Sequence, residues 1–315
     1  MTTGKGSFTA RDWTTYSTTH VTGKTDAELF TNTDIDPLLN PKDVKIRESR
    51  DSDAYPESTA LIVGIDQTGS MGMISKQMIR EGLNVLATEI YDRKPITDPQ
   101  IMFMAIGDAA MHERAPLQVT QFEVDIKIAE QLQKFYLEGR GGGNDNESYT
   151  FPWYFAAMHT SIDCFEKRGK KGYLFTVGDE CVPPVLKASE IERYLGYNPE
   201  KDFTAEELLT MVSRSYNVFH IMVEQGSYMR SYRNDAIESW TNLLGQNAIP
   251  LSDYTKMSEV IISVIQAMEG DAKDKITASW SGDTSIVVSK AIDGIIANRT
   301  GNGRLWCSSR VISNN

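Results

Sequence analysis

One short segment combines side chains that could bind a metal ion. Asp66 is followed at two-residue spacing by the hydroxyls of Thr68 and Ser70, and Gly69 and Gly72 allow the backbone to turn tightly around them. A carboxylate and two hydroxyls facing one point supply the hard oxygen ligands that a small divalent cation such as Mg²⁺ prefers. Because an apolar run comes directly before Asp66, these oxygens should stand at the end of a buried strand.

Two further polar segments are predicted to reach the same place. Residues 141–148 form a glycine-rich loop with amide and carboxylate side chains at positions 144–147, and Asp179 and Glu180 follow another apolar run. The carboxyl ends of parallel strands lie at one edge of an α/β sheet, where ligands bind. Asp179 and one oxygen donor from 144–147 would therefore complete an octahedral site in which the cation retains several waters.

Alternating strands and helices are predicted to position these loops. Short connections between them indicate an α/β protein with a Rossmann-like, doubly wound, mostly parallel sheet and helices on both faces. The predicted strands are 59–65, 100–106, 172–177, 218–223 and 248–251, with a short edge strand at 119–122 and a weaker one at 286–288. The predicted helices are 74–91, 125–137, 151–165, 205–214, 236–244 and 254–268, with a weaker one at 291–297.

The first loop resembles the metal-ion-dependent adhesion site (MIDAS) of the von Willebrand factor A (vWA) family. The family pattern is Asp-x-Ser-x-Ser, and this chain has Asp66-Gln67-Thr68-Gly69-Ser70, in which threonine keeps the hydroxyl of the first serine. The resemblance covers about residues 58–268 and implies the vWA fold. It implies that Asp66, Thr68 and Ser70 are metal ligands, with Asp179 as the carboxylate at the end of a later central strand.

The second loop follows the family less closely. Some intracellular members have a loop similar to Gly-Gly-Gly-Asp-x-Pro-Glu, which falls here on residues 141–147. The resemblance then places Asn144 at the aspartate position, where its side-chain carbonyl would coordinate the cation, and Glu147 at the glutamate. A shift of one residue would select Asp145 instead.

The resemblance also implies a function. In this family a cation, Mg²⁺ here with Mn²⁺ or Ca²⁺ as alternatives, keeps one position open for a carboxylate from a partner protein. The chain would then be a non-enzymatic adaptor or assembly component of a bacterial or phage-like, intracellular branch. Its implied partner is a protein that supplies an Asp or Glu side chain, such as an AAA+ ATPase of the MoxR type.

Composition restricts the other classes of function. The 315 residues carry a formal net charge of -11, which disfavours nucleic acid as a partner, and no apolar run approaches the length of a membrane span. Three cysteines without CxxC spacing and an amino terminus without an apolar signal segment favour a reducing cytoplasm. The four histidines lack ligand spacing, so His159 and His220 are interpreted as packed residues.

The chain is predicted to have three parts. Residues 1–57 read as a polar amino-terminal extension, 58–268 as the vWA-like domain, and 269–315 as a carboxyl-terminal extension or tail.

Two other functions fit part of the pattern. Asp66-Gln67-Thr68-Gly69-Ser70 is similar to the Asp-Lys-Thr-Gly-Thr of P-type ATPases, relatives of the haloacid dehalogenases, which would make Asp66 the nucleophile of a Mg²⁺-dependent phosphotransferase or phosphatase. Gln67 in place of lysine and the direct passage into a helix argue against this reading. A structural protein of a phage particle or another assembly is the other alternative. A P-loop is excluded because no Gly-Lys-Ser/Thr follows the glycine-rich segment.

Overall fold

The computed structural model describes residues 10–77, 80, 83–139 and 144–297. Parts of the predicted helix 74–91 and of the glycine-rich loop, and the predicted tail from residue 298, lie outside these residues. The strands are β1 (Arg47–Ser49), β2 (Thr59–Asp66), β3 (Pro99–Ile106), β4 (Leu117–Val119), β5 (Thr160–Ile162), β6 (Gly172–Gly178), β7 (Val185–Leu186), β8 (Phe203–Thr204), β9 (Tyr216–Val223) and β10 (Ala248–Leu251). The helices are α1 (Ala10–His20), α2 (Asp26–Leu29), α3 (Met73–Gln77), α4 (Leu83–Arg93), α5 (Lys127–Leu132), α6 (Phe151–His159), α7 (Asp163–Glu166), α8 (Ala188–Leu195), α9 (Ala205–Val212), α10 (Met229–Leu244), α11 (Met257–Glu269), α12 (Lys273–Ala278) and α13 (Asp283–Ile292).

A six-stranded sheet in the order β10-β9-β6-β2-β3-β4 forms the centre of the molecule. All neighbouring strands are parallel except β4, which pairs antiparallel with β3 at one edge. Every residue of β2, β3 and β6 is buried, because helices cover both faces of the sheet. The predicted α/β class, with a Rossmann-like and mostly parallel sheet, is confirmed.

The two faces of the sheet carry separate hydrophobic clusters. Leu61, Val63 and Ile65 of β2 pack in one cluster with residues of α4, α5, α11 and α13. Ala60 and Ile62 pack in the other, with α6, α8, α9 and α10. This alternation follows from the period of two along a strand. Because the helices cover the two faces of the sheet, the carboxyl ends of the strands are left to the loops that build the site.

Three predicted elements are wrong: the helix over 151–165, the strand at 286–288, and the helix over 291–297, of which only the first two residues are helical, at the end of α13. The helix expected over 151–165 ends at His159, because Thr160–Ile162 forms β5, which pairs in parallel with β1 of the amino-terminal segment. The strand expected at 286–288 belongs instead to α13, in which Val287, Val288 and Ala291 are buried at helical spacing while Ile286 is 68% exposed. The predicted domain boundaries stay predictions, although α12 and α13 pack on the same core as β2.

Candidate functional site

The candidate site lies where the order of the sheet reverses. From β2 the chain continues to β3 and β4 on one side, and then crosses to β6, β9 and β10 on the other side. The carboxyl ends of β2 and β6 therefore border a topological switch point, which is the usual binding crevice of an open α/β sheet. Asp66 is the last residue of β2, and Asp179 directly follows β6.

The first loop folds back on Asp66. The backbone nitrogen and the hydroxyl of Thr68 both donate to Asp66 Oδ1, at 2.7 and 2.6 Å. The Thr68 and Ser70 hydroxyl oxygens are 3.3 Å apart, and the Ser70 hydroxyl donates to Asp179 Oδ1 at 2.7 Å. The structure thus brings together four of the five residues predicted as metal ligands, in one connected set of oxygens.

Tyr149 links the first loop to the loop that follows β6, here called the third loop, and no sequence pattern identified it. Its hydroxyl donates to Asp66 Oδ2 at 2.6 Å and accepts a hydrogen bond from the Glu180 backbone nitrogen at 3.3 Å. The tyrosine ring lies directly against Gly178, where an added Cβ would stand 2.3 Å from the hydroxyl oxygen. The ring also makes an edge contact with His220, which is fully buried and bonded to Thr176, in agreement with its predicted packing role.

The chain after β9 closes the site around Asp179. The Tyr228 backbone nitrogen donates to Asp179 Oδ2 at 2.9 Å, and the Ser227 nitrogen donates to the Ser70 carbonyl at 3.0 Å. Gly226 packs so closely that an added Cβ would lie 2.1 Å from Asp179 Oδ2. Both Asp179 oxygens are therefore held in place by neighbours from two different loops.

Asn144, the fifth predicted ligand, is held differently. Its amide nitrogen donates to the Asn146 carbonyl at 2.9 Å, and its buried side-chain oxygen has no hydrogen-bond partner among the described residues. The Cys181 backbone nitrogen donates to the Asp145 carbonyl at 3.1 Å, which fixes this loop beside the third loop. Asn144 as a ligand, and the choice between Asn144 and Asp145, stay predictions.

Two glutamates that were not predicted as ligands also lie in the interior of the site. Glu147 and Glu180 are only 1% and 3% exposed. The aligned glutamate of the second loop was a signal for Glu147, and the Asp179-Glu180 pair was a signal for Glu180. Neither signal distinguishes a buried carboxylate from one in a surface turn, because that depends on what packs over the loop.

The buried carboxyl groups shift one another's protonation. Burial, reinforced by Asp179, raises the pKa of Asp66 to about 7. Burial also raises the pKa of Glu147 to about 11 and that of Glu180 to about 8, and in both cases the charge of Asp66 adds to the effect. Burial likewise raises the pKa of Asp179. The raised pKa values mean that the charged forms of these carboxyl groups are unfavourable in this buried site. A cation among their oxygens would stabilise those charged forms.

The donor set fits a hydrated magnesium ion. In the part of the chain that the structure describes, no three His, Cys, Asp or Glu side chains are grouped so that they could hold a metal ion by themselves. A cation here would depend on Asp66 and Asp179 together with the Thr68 and Ser70 hydroxyls and water. Mg²⁺ commonly binds proteins through one or two carboxylates and retains several waters.

The geometry also bears on Asp66 as a nucleophile. Asp66 is fully buried, and each of its carboxylate oxygens already accepts a short hydrogen bond, one from Thr68 and the other from Tyr149. A nucleophilic carboxylate needs an oxygen directed at the group that it attacks. These hydrogen bonds hold the Asp66 carboxylate in one orientation, and its role as a cation ligand or as a nucleophile stays a prediction.

Fold and site together define an α/β protein with an oxygen-rich site at the switch point of its sheet. No family model and no curated protein matches the chain. Similar solved structures include the pilus adhesin SpaC from Lactobacillus rhamnosus GG (10% identity, 70% of this chain, 32% of that chain, TM-score 0.46). A von Willebrand factor type A protein from Catenulispora acidiphila is also similar (11% identity, 67% of this chain, 42% of that chain, TM-score 0.38).

Proximal thread matrix protein 1 from the mussel byssus gives comparable values (12% identity, 66% of this chain, 45% of that chain, TM-score 0.42). The chain spans less than half the length of each of these three proteins. Such likeness concerns the fold alone. Within the described ranges, no helix is long and apolar enough to cross a membrane.

Proposed function

We propose that this protein is a Mg²⁺-dependent interaction module of the vWA type, which captures a carboxylate of a partner protein. The observation that carries the proposal is the hydrogen-bonded chain of oxygens Asp66, Thr68, Ser70 and Asp179, which joins the ends of β2 and β6. A cation bound to these oxygens would keep water on its remaining positions, and an Asp or Glu side chain could replace one such water.

The first loop reaches the protein surface on one side, where a partner could approach. Asp66 and Thr68 are buried, whereas Gly69 is exposed and Ser70 is half-buried. A carboxylate arriving at this loop would meet the cation on the side of Ser70. The partner, for which an AAA+ ATPase of the MoxR type is our candidate, and the cytoplasmic location both belong to this proposal.

Calorimetric titration with Mg²⁺ tests the metal site. The wild type should bind Mg²⁺ and gain thermal stability from it, since a ligand that binds the folded state stabilises it. Ser70→Ala should lose most of this binding and keep a cooperative fold, because Ser70 is partly exposed. Ser231→Ala, an exposed serine on α10, is the matched control and should behave as the wild type.

Pull-down of the candidate ATPase tests the capture of a partner. Wild-type protein should retain it in Mg²⁺ and release it in EDTA, and Asp66→Ala should fail in both conditions. Retention that is unaffected by EDTA and by Asp66→Ala would contradict the proposal. Phosphate release from a phosphomonoester, with a fluoroberyllate adduct at Asp66, would support the phosphatase alternative instead.

A further inference from the structure

The Glu147 side chain is buried with little to stabilise its carboxyl group. The residue is 1% exposed, and neither carboxyl oxygen makes a hydrogen bond of ordinary geometry with a described residue, although the Thr68 hydroxyl lies near enough to oppose the rise of its pKa. A buried carboxyl group without a partner is among the most unfavourable groups that a fold can contain. Its position therefore calls for a partner of another kind.

The backbone holds Glu147 firmly in this position. The Tyr149 nitrogen donates to the Glu147 carbonyl at 2.7 Å, and the Ser148 nitrogen donates to the Gly107 carbonyl at 3.1 Å. The Tyr149 hydroxyl is bonded in turn to Asp66. Glu147 thus lies between an anchor on the end of β3 and an anchor on the end of β2, so its burial results from the same contacts that build the site.

The surroundings of Glu147 are acidic. Asp66 is the charged neighbour that acts on it most strongly, followed by Glu180 and Asp108. One carboxyl oxygen of Glu180 and one of Asp108 are also buried without a hydrogen bond among the described residues. A cation with its bound waters would relieve the repulsion among these neighbouring acidic groups.

We propose that Glu147 accepts hydrogen bonds from the water molecules bound to the cation, and so belongs to its outer shell. The inference rests on the proposed function and adds a residue to its site. Direct coordination by Glu147 together with Asp66 and Asp179 would need three acidic side chains grouped around one point, and the described residues contain no such group. Mg²⁺ keeps several waters, whose hydrogens need acceptors, and carboxylates in this position orient the inner ligands.

The test compares Mg²⁺ and Mn²⁺ affinities of the full chain with and without the Glu147 carboxylate. Glu147→Gln keeps the size of the side chain, so the metal-free variant should melt no lower than the wild type. Its metal affinity should fall about 10–100-fold, the usual effect of losing an outer-shell partner. Glu192→Gln, which removes the same group from an exposed position on α8, should leave the affinity unchanged.

A second variant separates charge from packing. Glu147→Asp keeps a carboxylate that can still reach a metal-bound water, so it should retain more affinity than Glu147→Gln. Equal metal affinity in wild type and Glu147→Gln, with loss in Ser70→Ala, would overturn the inference and leave the proposed function standing. Absence of Mg²⁺ and Mn²⁺ binding by the wild type would overturn both.

Water relaxation on the Mn²⁺-loaded protein distinguishes the outer shell from direct coordination. An outer-shell Glu147 predicts the same number of manganese-bound waters in wild type and Glu147→Gln. A gain of one water in Glu147→Gln would overturn the outer-shell assignment, because it would mean that the carboxylate had occupied a ligand position.

Discussion

Gly226→Ala should disrupt the site without changing any group that could bind the cation. An alanine Cβ would stand 2.1 Å from Asp179 Oδ2 and 2.3 Å from its Cβ and Cγ, about 0.9 Å short of the 3.0 Å that real Cβ contacts respect. Asp179 would have to move by about this distance. Its hydrogen bond from Ser70, now 2.7 Å, would then lengthen to about 3.6 Å if the movement is directed away from the hydroxyl, beyond the ordinary range.

The cost has two parts that can be measured separately. Overpacking of a buried position by one methyl group lowers the free energy of unfolding by about 1–3 kcal/mol, which urea denaturation of the metal-free protein would detect. Displacement of Asp179 should weaken Mg²⁺ binding by about 10–100-fold, the range seen when the support of a metal ligand is lost. Calorimetry measures this second effect.

Gly294→Ala is the matched control for Gly226→Ala. A Cβ at Gly294 would meet its nearest neighbour, the Gln246 Cβ, at 3.8 Å, which is an ordinary contact. This variant should be neutral, or more stable by about 0.4–1 kcal/mol because alanine restricts the unfolded chain. If Gly226→Ala matched Gly294→Ala in both unfolding free energy and Mg²⁺ affinity, the close packing of Gly226 on Asp179 would be refuted.

Two further predictions concern single side chains. Tyr149→Phe removes the 2.6 Å hydrogen bond to buried Asp66 and should lower the unfolding free energy by about 1–3 kcal/mol in urea titrations, whereas the exposed Tyr232→Phe should be neutral. For Asp163, burial acts to raise its pKa, but hydrogen bonds that include one from Lys167 outweigh it and hold the pKa below the usual 3.8. A depressed pKa contributes stability above 3.8 that is lost as the pH falls, so wild type should lose more stability than Asp163→Asn between about pH 6 and pH 3. Parallel pH curves would contradict this.

The sheet was predictable because its signals are local. The strands at 59–65, 100–106 and 172–177 are short, mostly apolar runs, which are typical of a strand covered on both faces, and the structure places β2, β3 and β6 within a residue of them. The predicted helix at 151–165 failed because the pairing of β5 with β1 is a contact over more than 100 residues. A local pattern carries no information about such a partner.

Local spacing was enough to place a carboxylate and two hydroxyls together at the end of β2, since Asp66, Thr68 and Ser70 are four residues apart at most and their spacing is set by covalent geometry. It also indicated Asp179, because strand ends in a parallel sheet meet at one edge. How these groups are held depends on contacts between distant segments of the chain. Tyr149 reaches Asp66 across 83 positions of the chain.

The same reason explains the least predictable parts of the site. Whether Glu147 is a surface turn residue or a buried carboxyl group depends on the hydrogen bond of its neighbour Ser148 to Gly107 and on its place near Asp66, which lie about 40 and 80 residues earlier. The closeness of Gly226 to Asp179 depends on the pairing of β6 with β9. Residue types and local spacing fixed which chemistry the site could perform, whereas burial and distance, which depend on contacts between distant segments, decided which side chains take part.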